Sequence, residues 1–178
     1  VGGSDYHCPA GEETNLLRLG QPTTWVAVAE SSAGGILEGI RQGRVSISAS
    51  PDGPRLLLRA RCAGESAAMG GVLPVAPGGP VEVTVDVTVD VERGDGLRLR
   101  LVADGSPIWE EQVTGSRASL RTAVAPFRYL RAELVGDCPV ERIPPQAPAN
   151  LDRRGWRWAL TNPVYGQVVS PPSARAEK

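Results

Sequence analysis

At 178 residues the chain has room for one full domain, or for one domain with a piece of another. A formal net charge of −1 and a pI near 5.9 give no basis for a nucleic-acid or anionic-membrane surface. The sequence holds no apolar run long enough to span a bilayer and no charged-then-apolar leader.

The first residues read "VGGSDYHCPAG" and contain the only histidine of the chain. The Gly-Gly lead-in permits a sharp turn, and Asp5 and His7, two residues apart, point the same way if the segment is extended. A carboxylate oxygen and an imidazole nitrogen converging on one point suit a divalent metal. Zinc usually takes three or four protein ligands, so two donors leave the sphere incomplete. The competing reading makes Asp5 a turn residue and His7 an exposed terminal side chain.

From residue 20 to 50 the pattern is strand, helix, strand. "TTWVAVA" predicts a largely buried strand over Thr24–Ala29. "SSAGGILEGIRQG" predicts a helix capped by Ser31 or Ser32, with Ile36, Leu37 and Ile40 on one face and Gly43 at its end. Its internal glycines Gly34, Gly35 and Gly39 each cost about 1 kcal/mol relative to alanine, so this helix needs a surface to pack against. "GRVSISAS" returns to period two, and the turn "PDGP" at Pro51 to Pro54 marks a candidate domain boundary.

Beyond residue 50 the period stays at two. In "PVEVTVDVTVDVERGDGLRLRLVADG" the valines Val81, Val83, Val85, Val87, Val89 and Val91 face one way and Glu82, Thr84, Asp86, Thr88 and Asp90 the other. With "RGDG" as a turn and Leu97, Leu99 and Leu101 after it, the expectation is one long hairpin with a dry side. "LLLRARCA", "PIWEEQV", "ASLRTAV" and "FRYLRAELV" add short strands, a spacing that favours an antiparallel β-sandwich. "CPVERIPPQAPAN" carries too many prolines for a sheet interior, "GWRWALTNPVYG" resumes an extended segment, and "SPPSARAEK" reads as a solvated tail.

Several residues invite chemistry and have plainer uses. Asp86 and Asp90 could hold calcium, but cross-strand pairing with Arg98 and Arg100 explains them better. Arg41 and Arg44 could reach an anionic substrate, yet basic residues at a helix C-terminus are ordinary dipole partners. Among the four tryptophans, Trp156 and Trp158 share one strand face, which favours buried core or domain-interface packing over a sugar platform. The adjacent Glu110 and Glu111 point to opposite sides of a strand and make no glycosidase pair. The three cysteines Cys8, Cys62 and Cys138 form no complete framework; a Cys62–Cys138 bridge and free buried thiols are both open, the thiols favoured.

"VGGSDYH", then "GQPTTWVAVAESSAGGILEGIRQGRVSIS", and finally "WALTNPVY" together resemble the last third of the PHP (polymerase and histidinol phosphatase) superfamily, in its carbaryl-hydrolase-like CehA/McbA branch of metallohydrolases. The resemblance implies that Asp5 and His7, in the Gly-Ser-Asp-x-His motif, bind catalytic divalent ions such as Zn, Mn or Fe. It implies an α+β chain in two parts: residues 1–50 as the strand–helix–strand end of a distorted β/α barrel, and residues 51–165 as an antiparallel β-sandwich, with 166–178 as tail. The family's His-x-His motif and its mid-barrel ligands have no counterpart here. The expectation is therefore the carboxy-terminal portion of a hydrolase of phosphoester, carbamate or amide bonds, partnered by an upstream barrel domain and a small ester or amide substrate, with no nucleic acid and no membrane. Its competitor is a stand-alone β-sandwich binding module without catalysis.

Overall fold

The computed structural model describes residues 1–3, 20–88, 96–138, 150 and 154–169. Among these, one short helix and twelve strands build a β-rich fold of two sheets. The helix α1 (Ala33–Arg41) lies between β1 (Thr23–Val26) and β2 (Val45–Ser48). Then come β3 (Arg55–Cys62), β4 (Glu65–Ala68), β5 (Val72–Val75), β6 (Val81–Thr88), β7 (Arg98–Ala103), β8 (Ser106–Gln112), β9 (Arg117–Val124), β10 (Tyr129–Gly136), β11 (Trp156–Thr161) and β12 (Val164–Val168).

One sheet is four-stranded, β4-β3-β6-β9, and antiparallel throughout. The other has eight strands with β10 at its centre. Along one side of β10 runs β7, itself paired to β8; along the other, β12 takes the first residues and β11 the last. Outward from β11 follow β2 and β1, and outward from β12 follows β5, the one parallel pairing among the described residues.

The alternation of valines does what period two requires. Val81, Val83, Val85 and Val87 are at most 2% exposed and face Leu99, Leu101, Leu130 and Leu134 of the opposite sheet across the core. Each such side chain contributes about 1.5–3 kcal/mol by leaving water.

The expected long hairpin does not form. β6 pairs with β3 and β9, whereas β7 pairs with β10 and β8, so the chain crosses from one sheet to the other between them. Both strands keep an apolar face, and facing sheets satisfy two such faces as well as one shared face does. Residues 89–95, including Val89, Asp90 and Val91, lie outside the described residues. A tight hairpin instead joins β7 to β8 through Asp104 (φ 50°) and Gly105 (φ 90°), the left-handed pair that a two-residue loop demands.

The strand–helix–strand unit is also connected differently from a β/α barrel end. β1 and β2 are antiparallel nearest neighbours, and β2 is hydrogen-bonded to β11, while β/α barrels are built from parallel strands. Elements on both sides of residue 50 thus share one sheet. β1 is shorter than expected and half-buried along its length. α1 begins where its sequence places it, with Ser32 Oγ accepting from Gly35 N at 3.1 Å, and Gly43 follows it with φ 67°.

A backbone junction holds this unit to the sandwich. A Cβ on Gly70 would stand 2.1 Å from the Gln42 carbonyl oxygen, and Gly70 has φ 85°. Gly70 N donates to the Pro163 carbonyl at 2.8 Å, Asn162 Nδ2 donates to the Gly43 carbonyl at 3.0 Å, and Asn162 N donates to the Val45 carbonyl at 2.9 Å. Three distant stretches of chain therefore meet backbone to backbone.

Two substitutions check this account by chemical denaturation. Leu99→Ala, at a fully buried position, should cost about 2–5 kcal/mol, and Leu57→Ala, on the outer face of β3, less than about 1 kcal/mol. Gly70→Ala should cost at least about 1 kcal/mol, because both the left-handed backbone and the close approach exclude a side chain.

Candidate functional site

Asp5 and His7, the predicted metal ligands, lie outside the described residues, as does Cys8. The chain enters the described structure just before them. Gly2 N donates to Thr24 Oγ1 at 2.9 Å and Gly2 O accepts from the same hydroxyl at 3.1 Å, which fastens the amino-terminal tripeptide to β1. On that same outward side a Cβ at Gly2 would touch Ile47 at 3.2 Å. α1 approaches close by: a Cβ at Gly39 would stand 2.5 Å from Val26 Cγ1. Only a glycine permits that contact, and Gly39 is the one buried residue of the helix. Ile36, Leu37 and Ile40, the apolar face expected to find a packing surface, remain 40–52% exposed.

On the inward side of β1, Trp25 receives the Arg55 guanidinium at 4.2 Å from its ring centre. The Trp25 Nε1, Ser48 Oγ and Ser50 Oγ atoms are buried there without a hydrogen-bond partner. Among the described residues no three His, Cys, Asp or Glu side chains gather where they could hold a metal ion. The described residues alone therefore do not fit a metal centre.

Six charged residues of the eight-stranded sheet are joined in two clusters on its outward face. Glu110 accepts from Arg98 Nε through Oε1 and from Arg100 Nε through Oε2, the latter at 2.8 Å. The Arg100 hydrogen bond, helped by Arg98, holds the Glu110 carboxyl below the usual carboxylate range. This corrects the expected pairing: Asp86 lies in the other sheet, opposite Leu57 and Ser119, and the arginines take Glu110 instead.

Glu133 is only 2% exposed, and its Oε1 accepts from Arg131 Nε at 2.9 Å and Nη2 at 2.7 Å, while Oε2 meets Arg157 Nε at 3.2 Å. Burial alone pushes this carboxyl up, but the hydrogen bonds from Arg131 and Arg157 outweigh it and the net shift is downward. Sequence reading missed Glu133. The one signal for it was a lone acid within the apolar run "YLRAELVG", with an arginine two residues before it on the same side.

Of the remaining candidates, Arg44 has a buried Nε without a hydrogen-bond partner among the described residues, and the following have structural uses or exposed positions. Arg41 sits 3.7 Å from Glu38 on its own helix. Trp158 is 8% exposed and packs in the core, but Trp156, expected beside it, is 37% exposed. The register of β11 on β10 shifts between Leu134 and Val135, so that Trp158 and Ala159 both turn inward and the simple alternation breaks. Cys62 and Cys138 are both buried and do not bridge each other. An open depression of about 540 Å³ lies at the β3–β4 turn, lined in part by Arg61, Cys62 and Glu82, at the opposite end of β3 from Arg55 and Trp25. Among the described residues no helix is long and apolar enough to cross a membrane.

Comparison with known proteins returned no matching family model, no matching curated protein and no matching solved structure.

Because the folded-state pKa of Glu133 is depressed, its stabilising contribution is complete above the unfolded value of about 4.3 and is lost as pH falls through the folded value. Glu133→Gln should cost about 1–3 kcal/mol at neutral pH and flatten the acid limb of stability measured by denaturant titration from pH 7 downward. An unchanged acid limb in that variant would refute the assignment.

Proposed function

We propose that this chain is the carboxy-terminal portion of a metal-dependent hydrolase of the PHP superfamily, CehA/McbA branch, acting on phosphoester, carbamate or amide bonds. In this reading Asp5 and His7 provide two ligands to divalent ions, Zn, Mn or Fe, whose other ligands come from an upstream barrel domain. The strand–helix–strand unit is the seam between that barrel and the sandwich. Its antiparallel strands continue the sandwich sheet, and its outward side faces the barrel.

The observation that carries the reading is the amphipathic helix left uncovered on the side of β1 where Gly2 is fastened. α1 presents Ile36, Leu37 and Ile40 on a helix that three internal glycines weaken, and it lies on the same side of β1 as Gly2. Such a helix gains its stability from a surface laid against its apolar face. A barrel domain preceding Gly2 would supply that surface and bring its ligands to the Gly-Ser-Asp-x-His motif. Bound divalent ions in such an enzyme activate water and polarise the scissile group.

The alternative, a free-standing sandwich binding module, draws support from the complete core that the two sheets form between themselves. Metal analysis separates the two readings. The purified chain should retain divalent metal below stoichiometry and hydrolyse neither bis-p-nitrophenyl phosphate nor a carbamate ester. The polypeptide extended through its upstream reading frame, which should encode His-x-His, should hold metal tightly and lose most of it in Asp5→Asn/His7→Ala. Tight stoichiometric metal with turnover by the chain alone, or an upstream frame without that motif, would sink the hydrolase-fragment reading.

A further inference from the structure

Among the described residues, the outward face of the four-stranded sheet carries arginines that no carboxylate pairs. β3 turns Arg55, Arg59 and Arg61 to solvent, and β9 turns Arg117 and Arg121. Between them β6 presents Glu82, Thr84, Asp86 and Thr88. The register puts Arg59, Thr84 and Arg121 on one rung and Arg55, Thr88 and Arg117 on another, with Asp86 on the rung between. Strand spacing then sets two arginine rails about 10 Å apart, with arginines four residues apart on each rail separated by about 14 Å. Arg55 is engaged by Trp25, but Arg59, Arg61, Arg117 and Arg121 have no carboxylate within ion-pair distance among the described residues.

Among the described residues, five arginines against two acids give this face a positive charge in a chain whose formal net charge is −1. The other sheet shows how this protein neutralises the same kind of face. There, Arg98 with Arg100 and Arg131 with Arg157 are each closed by one carboxylate from the sheet. The four-stranded sheet has the arginine pairs and, among the described residues, no acid that closes them.

We propose that this face docks an acidic polypeptide surface whose carboxylates close the arginine pairs across β6. Two observations favour a polypeptide over a polyphosphate. Asp86 sits in the middle of the rails and Glu82 beside Arg61, so a continuous line of anionic charge is repelled at its centre, while a polypeptide can place a neutral or basic side chain there. The four strands of this sheet contribute no aromatic side chain to stack a nucleic-acid base. Guanidinium groups fork onto carboxylates with two parallel hydrogen bonds, which adds geometric fit to the charge attraction. The inference is independent of the hydrolase reading, since the face belongs wholly to the sandwich.

The test is fluorescence anisotropy of the full chain with a labelled peptide of alternating glutamate and serine, alongside a thymidine oligonucleotide of equal length and phosphatidylserine vesicles. The peptide should bind best of the three and weaken about tenfold when salt rises from low to physiological strength. Arg59→Glu/Arg121→Glu should weaken peptide binding at least about tenfold. The control Arg41→Glu/Arg128→Glu makes the same change of net charge on exposed residues elsewhere and should stay within about twofold. Arg59→Gln/Arg121→Gln, gentler on the fold, should give an intermediate loss, with thermal melts confirming that all variants remain folded. Failure of the peptide to bind, equal losses in the control, or tighter binding of the oligonucleotide or the vesicles would each overturn the proposal.

Discussion

The meeting of Gly43, Gly70 and the Asn162–Pro163 dipeptide is the contact through which the amino-terminal unit becomes part of the sandwich. No side chain could be interposed: a Cβ on Gly43 would stand 3.1 Å from both Asn162 Nδ2 and the Gly70 Cα. Because Asn162 serves the Gly43 carbonyl and Pro163 serves the Gly70 amide, the polar groups of three irregular segments are satisfied together. The break between β11 and β12 falls at this dipeptide. It lets one stretch of chain cover both halves of β10, passing β2 and β1 to one neighbour and β5 to the other.

The two sheets share a dry interior and differ outside. On the eight-stranded sheet, carboxylates pair the arginines, and one of those carboxylates is buried to the point that its ionisation depends on them. Removing one partner of such a group costs more than the pairing contributes, since the remaining charge is stranded out of water. On the four-stranded sheet the arginines stand in solvent, where a guanidinium is at no disadvantage without a partner. Electrostatics is thus structural on one face and available on the other.

Much of the fold was legible in the sequence because period two is a local property. The strands over "RLLLRARC", "VEVTVDVT", "RASLRTAV" and "YLRAELVG" fall where their alternation puts them, and Ser32 caps the helix as its position suggests. Alternation says which residues share a face but not which strand lies alongside. Val81 to Val87 and Leu97 to Leu101 looked like the two arms of a hairpin and are instead the two walls of the core. Trp156 and Trp158 looked like companions and differ in burial, Trp158 within the core and Trp156 more exposed at the first residue of β11.

The candidate site divides in the same way. The Gly-Ser-Asp-x-His pattern with Asp5 and His7, the amphipathic helix and the alternating arginines of β3 and β9 are all properties of neighbouring residues, and the sequence alone determined them. The burial of Glu133 between Arg131 and Arg157, the unclosed arginine rails and the exposed side of α1 were decided only by the tertiary structure. The physical reason is that solvation and charge pairing depend on what lies across the sheet, tens of residues away in the chain, whereas periodicity and capping depend on the next few residues along it.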